Sequence, residues 1–138
     1  MFQPFLDAQA GVYEQALAEL RAGRKQSHWM WFIFPQLKAL GRSSTAKLFG
    51  LADLDEARAY AAHPLLGARL RACVAAAGAI EHTSAHEIFG FPDDLKFRSC
   101  LTLFLRATGE DLFRASLVKY YDGEEDPLTV AALKEASA

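Results

Sequence analysis

The sequence predicts an all-α protein, a compact single-domain bundle of about seven or eight helices around a central aromatic helix. Alanine and leucine are abundant and β-branched residues are sparse, so helix propensity dominates along the chain. No stretch of strand length alternates between polar and apolar residues with a period of two. The chain has 138 residues, of which 51% are hydrophobic and 23% charged, which suits one core and excludes disorder. We therefore expect residues 1–138 to form one domain.

Helix boundaries follow from apolar spacing and from the residues that begin and end helices. The first helix is expected to end at Gly23, because glycine favours the left-handed C-terminal cap. Ser27 has the position of an N-cap for the aromatic helix, which Pro35 ends. One short turn is predicted over 84–90. The predicted helices cover residues 4–22, 28–34, 45–49, 53–63, 64–77, 92–106, 110–121 and 128–136.

Three helix starts carry a specific signal. Asp53 is followed three residues later by Glu56, and Ser84 in the same way by Glu87, so both pairs are predicted capping boxes. Asp126 precedes a proline and is the predicted N-cap of the last helix. The apolar spacing of two later helices predicts core positions at Leu65, Leu66, Leu70, Cys73, Val74, Ala77, Phe97, Cys100, Leu101 and Phe104.

Charge is unevenly distributed, although the net charge is only −2. Residues 21–52 contain no acidic side chain but six basic ones, whereas the C-terminal third is rich in acids. This asymmetry indicates either an anionic partner near the basic interval or two parts of the chain that attract each other. A nucleic-acid-binding domain is usually strongly basic, so the composition gives no strong signal for nucleic acid.

Location is predicted from what the sequence lacks. No apolar run approaches the roughly 18 residues of a membrane span, so no membrane partner is expected. The N-terminus does not have the pattern of a secretory signal. Cys73 and Cys100 each lie in an apolar helical pattern, which is typical of buried free thiols. We expect a reduced, cytoplasmic protein, and the sequence does not indicate its oligomeric state.

The most unusual segment is residues 24–43, which concentrates aromatic and basic side chains. Trp29 and Trp31 lie two positions apart, so we expect their rings to point about 200° apart and to differ in environment. One interpretation is a core helix that is apolar on all sides. The other is that one ring lines a pocket and stacks on a planar ligand, whose phosphate or carboxylate meets Lys25, Arg24 or Arg42.

A second polar group lies on the helix predicted over 92–106. Asp93, Lys96 and Ser99 follow one another at three-residue spacing and so share one side of the helix. They form either a solvated face or the opposite wall of a pocket with the aromatic segment. The predicted ligand-binding residues are Lys25, Ser27, His28, Trp29, Trp31, Gln36, Arg42, Ser43, Asp93 and Lys96.

An anion in this site is expected at the N-terminus of the aromatic helix. Ser27 and the first free amides of the helix would bind it there together with Lys25, which we expect to be a surface charge.

Other chemistry has weaker signals. Adjacent Ser27 and His28 do not make a hydrolase motif, because no strained Gly-x-Ser-x-Gly turn is present. His82 and His86 have the spacing of two metal ligands on a helix, but a predicted N-cap lies between them, so no metal site is predicted. The sequence has no phosphate loop and no dinucleotide fingerprint, and no cofactor is predicted.

The aromatic segment contains the motif GxKxSHWMWFIFPQ at residues 23–36. Further motifs are Ala8-Gln9, Gly41-x-Ser43, EAxAY at 56–60, HPxLGxRL at 63–70, IFG at 88–90, Asp93-x-x-Lys96 and TLF at 102–104. The order of these motifs resembles an uncharacterised, mainly bacterial family, domain-of-unknown-function family number 1810, whose members are sometimes labelled calpastatin in genomes. The resemblance implies a compact all-α fold and no established activity. One departure is Phe49, where the pattern has tyrosine, so a hydroxyl group there is not essential.

Three functional hypotheses follow from these observations. The first is a small-ligand-binding domain for an anionic, planar metabolite or nucleotide derivative. The second is a protein–protein interaction module that uses tryptophan and arginine as anchors. The third is an enzyme acting on such a metabolite, with His28 as the acid or base.

Overall fold

The computed structural model describes residues 2–137, and this part of the chain is all-α, as predicted. Ten α-helices and one 3₁₀ turn, Lys38–Leu40, lie within the described residues. The helices are α1 Gln3–Gln9, α2 Tyr13–Arg21, α3 Met30–Ile33, α4 Ser44–Leu48, α5 Leu54–Ala62, α6 Leu66–Gly78, α7 Ala85–Phe89, α8 Asp93–Thr108, α9 Asp111–Tyr121 and α10 Pro127–Ser137.

The longest helix, α8, forms the centre of the fold. Helices α5, α7, α9 and α10 all pack against it. Its predicted core residues Phe97, Cys100, Leu101 and Phe104 are fully buried. Apolar burial on several sides of one helix is what a central position requires. Helix α8 therefore has the central place that the sequence assigned to the aromatic helix, which is a correction.

The first predicted helix is broken in two. Residues 10–12 form a turn around Gly11, and the backbone N–H of Val12 donates to the carbonyl of Gln9. Helix α1 packs against α3, whereas α2 packs against α6. Tertiary packing thus separates two segments whose apolar spacing alone predicted one helix. The predicted end at Gly23 is confirmed by its positive φ of 89°.

The aromatic helix is shorter than predicted. It begins at Met30, with Trp29 at the N-cap position and no side-chain cap. Ser27 is not the N-cap, because its hydroxyl donates to the carboxylate of Glu19 at 2.6 Å. The predicted N-cap was therefore wrong, and the hydroxyl holds α3 to α2 instead.

The other predicted caps are present. The side chains of Asp53, Ser84 and Asp126 accept hydrogen bonds from the backbone N–H three residues later, at 2.9, 3.1 and 2.9 Å. The start of α6 differs, because Leu65 precedes the helix and is 43% exposed rather than part of the core. There Nδ1 of His63 accepts from the N–H groups of Leu65 and Leu66, so a histidine acts as the cap.

The two cysteines are buried free thiols, as predicted. Burial raises the pKa of Cys73 to about 12 and that of Cys100 well above its usual range. Within residues 2–137, no helix combines the length and apolar character needed to cross a membrane.

Candidate functional site

Glu19 fixes the polar loop that leads into the aromatic segment. Its carboxylate accepts hydrogen bonds from the backbone N–H groups of Gln26 and Ser27 at 2.7 and 3.0 Å. It also accepts from the Ser27 hydroxyl and from the indole Nε1 of Trp29 at 3.0 Å. Partial burial alone would raise the pKa of Glu19, but these hydrogen bonds outweigh it and lower the pKa to about 2.

Glu19 occupies one of the groups that we expected to bind an external anion. The Ser27 hydroxyl donates to its carboxylate. The two backbone N–H groups that Glu19 binds are those of Gln26 and Ser27, which precede the amides at the start of the aromatic helix. The Ser27 hydroxyl therefore serves a contact within the protein.

The two tryptophans lie in different environments. Trp29 is 1% exposed, and its indole N–H is satisfied by Glu19. Trp31 is only partly buried and packs on the edge of the core. Trp29 is thus a core residue, whereas Trp31 also presents part of its ring toward solvent.

Two lysines share one carboxylate beside these rings. Nζ of Lys25 lies 3.0 Å from Oδ2 of Asp93, and Nζ of Lys96 lies 3.3 Å from Oδ1 of the same group. The Lys25 side chain is only 9% exposed, so the expectation that it is a surface charge was wrong. The cluster of Lys25, Asp93 and Lys96 carries a formal excess of one positive charge.

Each of these lysines also lies over a tryptophan ring. Nζ of Lys25 is 5.2 Å from the ring centroid of Trp29, and Nζ of Lys96 is 4.1 Å from that of Trp31. Both distances are within the range in which the ring quadrupole attracts a cation. The ion pairs and the rings together hold both ammonium groups in place. The single carboxylate of Asp93 compensates only one of their two positive charges.

A cavity of about 210 Å³ opens onto this cluster. Its walls come from the loop before α3, from α3, from the start of α4 and from the first turn of α8. The lining residues are Lys25, His28, Trp29, Met30, Trp31, Phe32, Thr45, Asp93 and Lys96. Asp93 and Lys96 both line the cavity, whereas Ser99, which was predicted on the same side of the helix, is buried, donates to the carbonyl of Leu95 and does not line it.

The cavity contains some of the predicted ligand-binding residues and leaves out others. It includes Lys25, His28, Trp29, Trp31, Asp93 and Lys96. Ser27, Gln36, Arg42 and Ser43 do not line it. Ser43 is the N-cap of α4 and accepts from Ala46 N–H at 3.0 Å, and Arg42 is exposed. Gln36 is 6% exposed, and its Nε2 has no hydrogen-bond partner among the described residues.

Three lining residues were not predicted. Phe32 and Met30 belong to the aromatic segment. They were not predicted to line a cavity because that segment was also interpreted as a fully buried helix. Thr45 comes from the short helix α4, and no local signal connects it with the cavity. Only the fold brings α4 to the opening.

His28 lines the cavity from an exposed position. Among the described residues, none hydrogen-bonds to its imidazole, so nothing fixes the ring for proton transfer. The geometry gives His28 access to a ligand without the orienting partner that a positioned acid or base usually has.

Among the described residues, no ion pair joins the acids of the C-terminal region to the basic interval. Glu110, Asp126 and Glu125 lie within ion-pair distance of Arg71, Arg98 and Arg106, which are all outside residues 21–52. In that interval, the described ion pair is that of Lys25 with Asp93. Direct ion pairs between the two parts of the chain therefore do not account for the charge asymmetry in the described part of the protein.

His82 and His86, which have the spacing of two metal ligands on a helix, do not lie on the same helix. His82 is exposed with a positive φ of 56°, before α7 begins, and His86 lies 3.6 Å from Oδ2 of Asp94. Among residues 2–137, no group of three or more His, Cys, Asp or Glu side chains is arranged to hold a metal ion.

A larger open groove, of about 620 Å³, lies beside the cavity and shares Lys25 with it. Its walls come from residues 23–25 and from the segment around α7. Its exposed charges are mixed, since Arg24 and Glu87 both line it. We therefore place the candidate site in the smaller cavity, where aromatic rings and unmatched positive charge coincide.

Comparisons with known proteins agree with the fold. Residues 1–133 match the model of a family described as "Protein of unknown function (DUF1810)". The crystal structure of the conserved hypothetical protein Rv1873 from Mycobacterium tuberculosis, at 1.38 Å, has 51% sequence identity to the chain. The alignment covers 96% of each chain with a TM-score of 0.95. A search of curated proteins found no match.

Proposed function

The chain belongs to the DUF1810 family of proteins of unknown function, and from the geometry of its cavity we propose that it binds a small, planar, anionic metabolite. The observation that carries this proposal is the cluster of Lys25, Asp93 and Lys96 against two tryptophans. Aromatic faces bind planar groups, and ammonium groups with incompletely matched charge bind anions. Both features line one concave site, which is the usual form of a small-molecule site.

Burial increases the effect of the cationic cluster. Side-chain exposure is 9% for Lys25, 19% for Asp93 and 23% for Lys96. Charges shielded from water interact more strongly than surface charges, because solvent screens them less. The excess positive charge is therefore best satisfied by an anion inside the cavity.

Thermal-shift measurements and isothermal titration test the proposal. We expect at least one anion from a panel of aromatic acids, nucleotides and phosphorylated metabolites to raise the melting temperature and to give saturable heat. Lys25→Met should weaken that binding by about tenfold or more, because it removes one of the two ammonium groups. The matched control is Lys47→Met, which changes an exposed lysine of the same basic interval outside the cavity. A panel without any hit at millimolar concentration would contradict the proposal.

A protein–protein interaction module is the second candidate. It is supported by Phe91 and Leu95, which are 73% and 43% exposed at the start of α8. Apolar side chains exposed together often contribute to interfaces. A pull-down that recovers one stoichiometric partner, and loses it with Phe91→Ser, would favour this function if no small molecule binds.

An enzyme that acts on the bound anion is the third candidate, with His28 as the acid or base. It is supported only by the position of His28 on the cavity wall. If an anion from the panel is converted, His28→Ala should abolish turnover while leaving binding within a fewfold. Unchanged turnover in His28→Ala would remove that role.

A further inference from the structure

We propose that the cavity selects a monoanion with a single aromatic ring, of the benzoate type, and excludes nucleotides. This inference rests on the proposed function, because it specifies the ligand of the same site. Three properties of the cavity carry it: the charge of the cluster, the size of the space and the chemistry of the neighbouring groove.

The charge of the cluster matches one negative charge. The cluster has two ammonium groups and one carboxylate, so its net formal charge is +1. A ligand with one negative charge would therefore make the sum of these charges zero. An ammonium group has three N–H donors, and Asp93 is the carboxylate partner of both lysines. A phosphate monoester, with a charge of about −2 near pH 7, would leave a partly buried negative charge beside Asp93, which is unfavourable.

The size of the space suits one ring. The cavity measures about 210 Å³, below the roughly 300–1,000 Å³ that is typical of sites for drug-sized ligands. A ring with one acid group fits this scale, whereas a nucleotide adds a sugar and a phosphate to its base. Trp29 is buried and tied to Glu19, so the wall that it forms is not free to open.

The neighbouring groove does not extend the site for a phosphate. It shares Lys25 with the cavity, but the ammonium group of Lys25 already pairs with Asp93. Its other lining residues with a formal charge are Arg24 and Glu87, so the groove contains a carboxylate as well as a positive group. His86 also lies 3.6 Å from Asp94. The groove therefore lacks the unmatched positive charge that the cavity has.

Isothermal titration of the full chain at pH 8 with four probes tests the inference. The probes are benzoate, benzamide with the same shape and no charge, cyclohexanecarboxylate with the same charge and no aromatic ring, and AMP. We expect benzoate to bind and each other probe to bind about tenfold more weakly or not at all. Tryptophan fluorescence gives an independent readout, since the ring of Trp31 lines the site.

The outcomes separate this inference from the proposed function. If AMP binds more tightly than benzoate, the selectivity inferred here is wrong while an anion site remains. If benzamide or cyclohexanecarboxylate matches benzoate, the charge or the aromatic part of the inference is wrong. If none of these anions binds and the wider panel also fails, the proposed function is wrong as well.

Two variants change the cluster in opposite directions. Lys96→Met leaves Lys25 paired with Asp93 and makes the cluster neutral, so benzoate affinity should fall by about tenfold or more. Asp93→Asn removes the internal carboxylate and should tighten benzoate binding severalfold. A merely structural role of Asp93 would weaken binding instead. Lys47→Met should leave the affinity unchanged. Circular dichroism would check that each variant is folded.

Discussion

Glu19 and Trp29 show how one carboxylate can organise an aromatic segment. The Trp29 indole brings a donor into the core, and Glu19 satisfies it at 3.0 Å. The same carboxylate accepts hydrogen bonds from two backbone N–H groups of the preceding loop. The buried tryptophan and the loop that carries Lys25 are therefore positioned together.

The two tryptophans should contribute unequally to stability. Trp29→Ala should lower the free energy of unfolding by about 3–5 kcal/mol, because it removes a fully buried ring and leaves Glu19 without one donor. Trp31→Ala should cost clearly less, because that ring is only partly buried. Urea denaturation followed by circular dichroism measures both. Equal, large losses would show that Trp31 is a core residue and not mainly a wall of the cavity.

Glu19 should make stability depend on acid pH. Its folded-state pKa of about 2 lies below the ordinary value of 4.5, so its contribution is fully present above about pH 4.5. It is lost as the pH falls through about 2. In Glu19→Gln, the free energy of unfolding should be lower at neutral pH, and the difference from wild type should shrink between pH 5 and pH 2. Glu14→Gln, an exposed neighbour on α2, is the control and should follow wild type. A constant difference across this range would contradict the role of Glu19.

Helices approach each other closely where a small residue faces neighbouring backbone. Gly67, in the first turn of α6, is the clearest case. A Cβ atom built at Gly67 would lie 2.1 Å from the carbonyl oxygen of Ala61 in α5. The same carbonyl accepts a hydrogen bond from Arg71, which also pairs with Glu110 at the start of α9. The contacts of Arg71 and the close approach at Gly67 thus connect α5, α6 and the start of α9.

Gly67→Ala should be strongly destabilising, because the added methyl group meets backbone that cannot move aside without displacing α5. We expect a loss of about 2–3 kcal/mol in the free energy of unfolding. Gly11→Ala is the matched control, since a Cβ atom at Gly11 would meet nothing within 4 Å. Chemical denaturation of both variants checks the prediction. A Gly67→Ala protein as stable as the control would show that α5 and α6 separate easily.

Over the whole molecule, the C-terminal acids form ion pairs with arginines, whereas most cations of the basic interval are exposed. The C-terminal acids pair with arginines of α6 and α8 and so attach the end of the chain to the centre. The basic interval keeps exposed cations at Arg21, Arg24, Lys38, Arg42 and Lys47. An anionic ligand of the proposed site would be attracted by these exposed cations.

Asp126 should be essential for attachment of α10. It is 6% exposed, caps α10 by accepting from the N–H and hydroxyl of Thr129, and lies 3.5 Å from Arg98 of α8. Its backbone N–H donates to Thr102 of α8 at 2.9 Å. Asp126→Ala should lower the free energy of unfolding by about 2–4 kcal/mol, since it removes the cap and leaves Arg98 unmatched. Hydrogen exchange should show α10 exchanging faster than α8. Equal protection of the two helices would contradict this account.

Local rules within the sequence determined the all-α class, most helix boundaries and three of the capping residues. Asp53, Ser84 and Asp126 cap as predicted because a cap depends only on residues within one turn. The pairing of Lys96 with Asp93 also follows from spacing on one helix. The aromatic and basic residues of the candidate site could also be recognised from the sequence, because they are concentrated in the short segment of residues 24–43.

Only the tertiary structure decided which of these residues meet. Glu19 accepts hydrogen bonds from Ser27 and from the backbone N–H of Gln26 because the chain folds back from α2 into the loop before α3, a contact that no local pattern specifies. Lys25 became a buried partner of Asp93, although 68 positions along the chain (93 − 25) separate them. Sequence patterns report local propensity, whereas burial and ion pairing depend on long-range packing around α8.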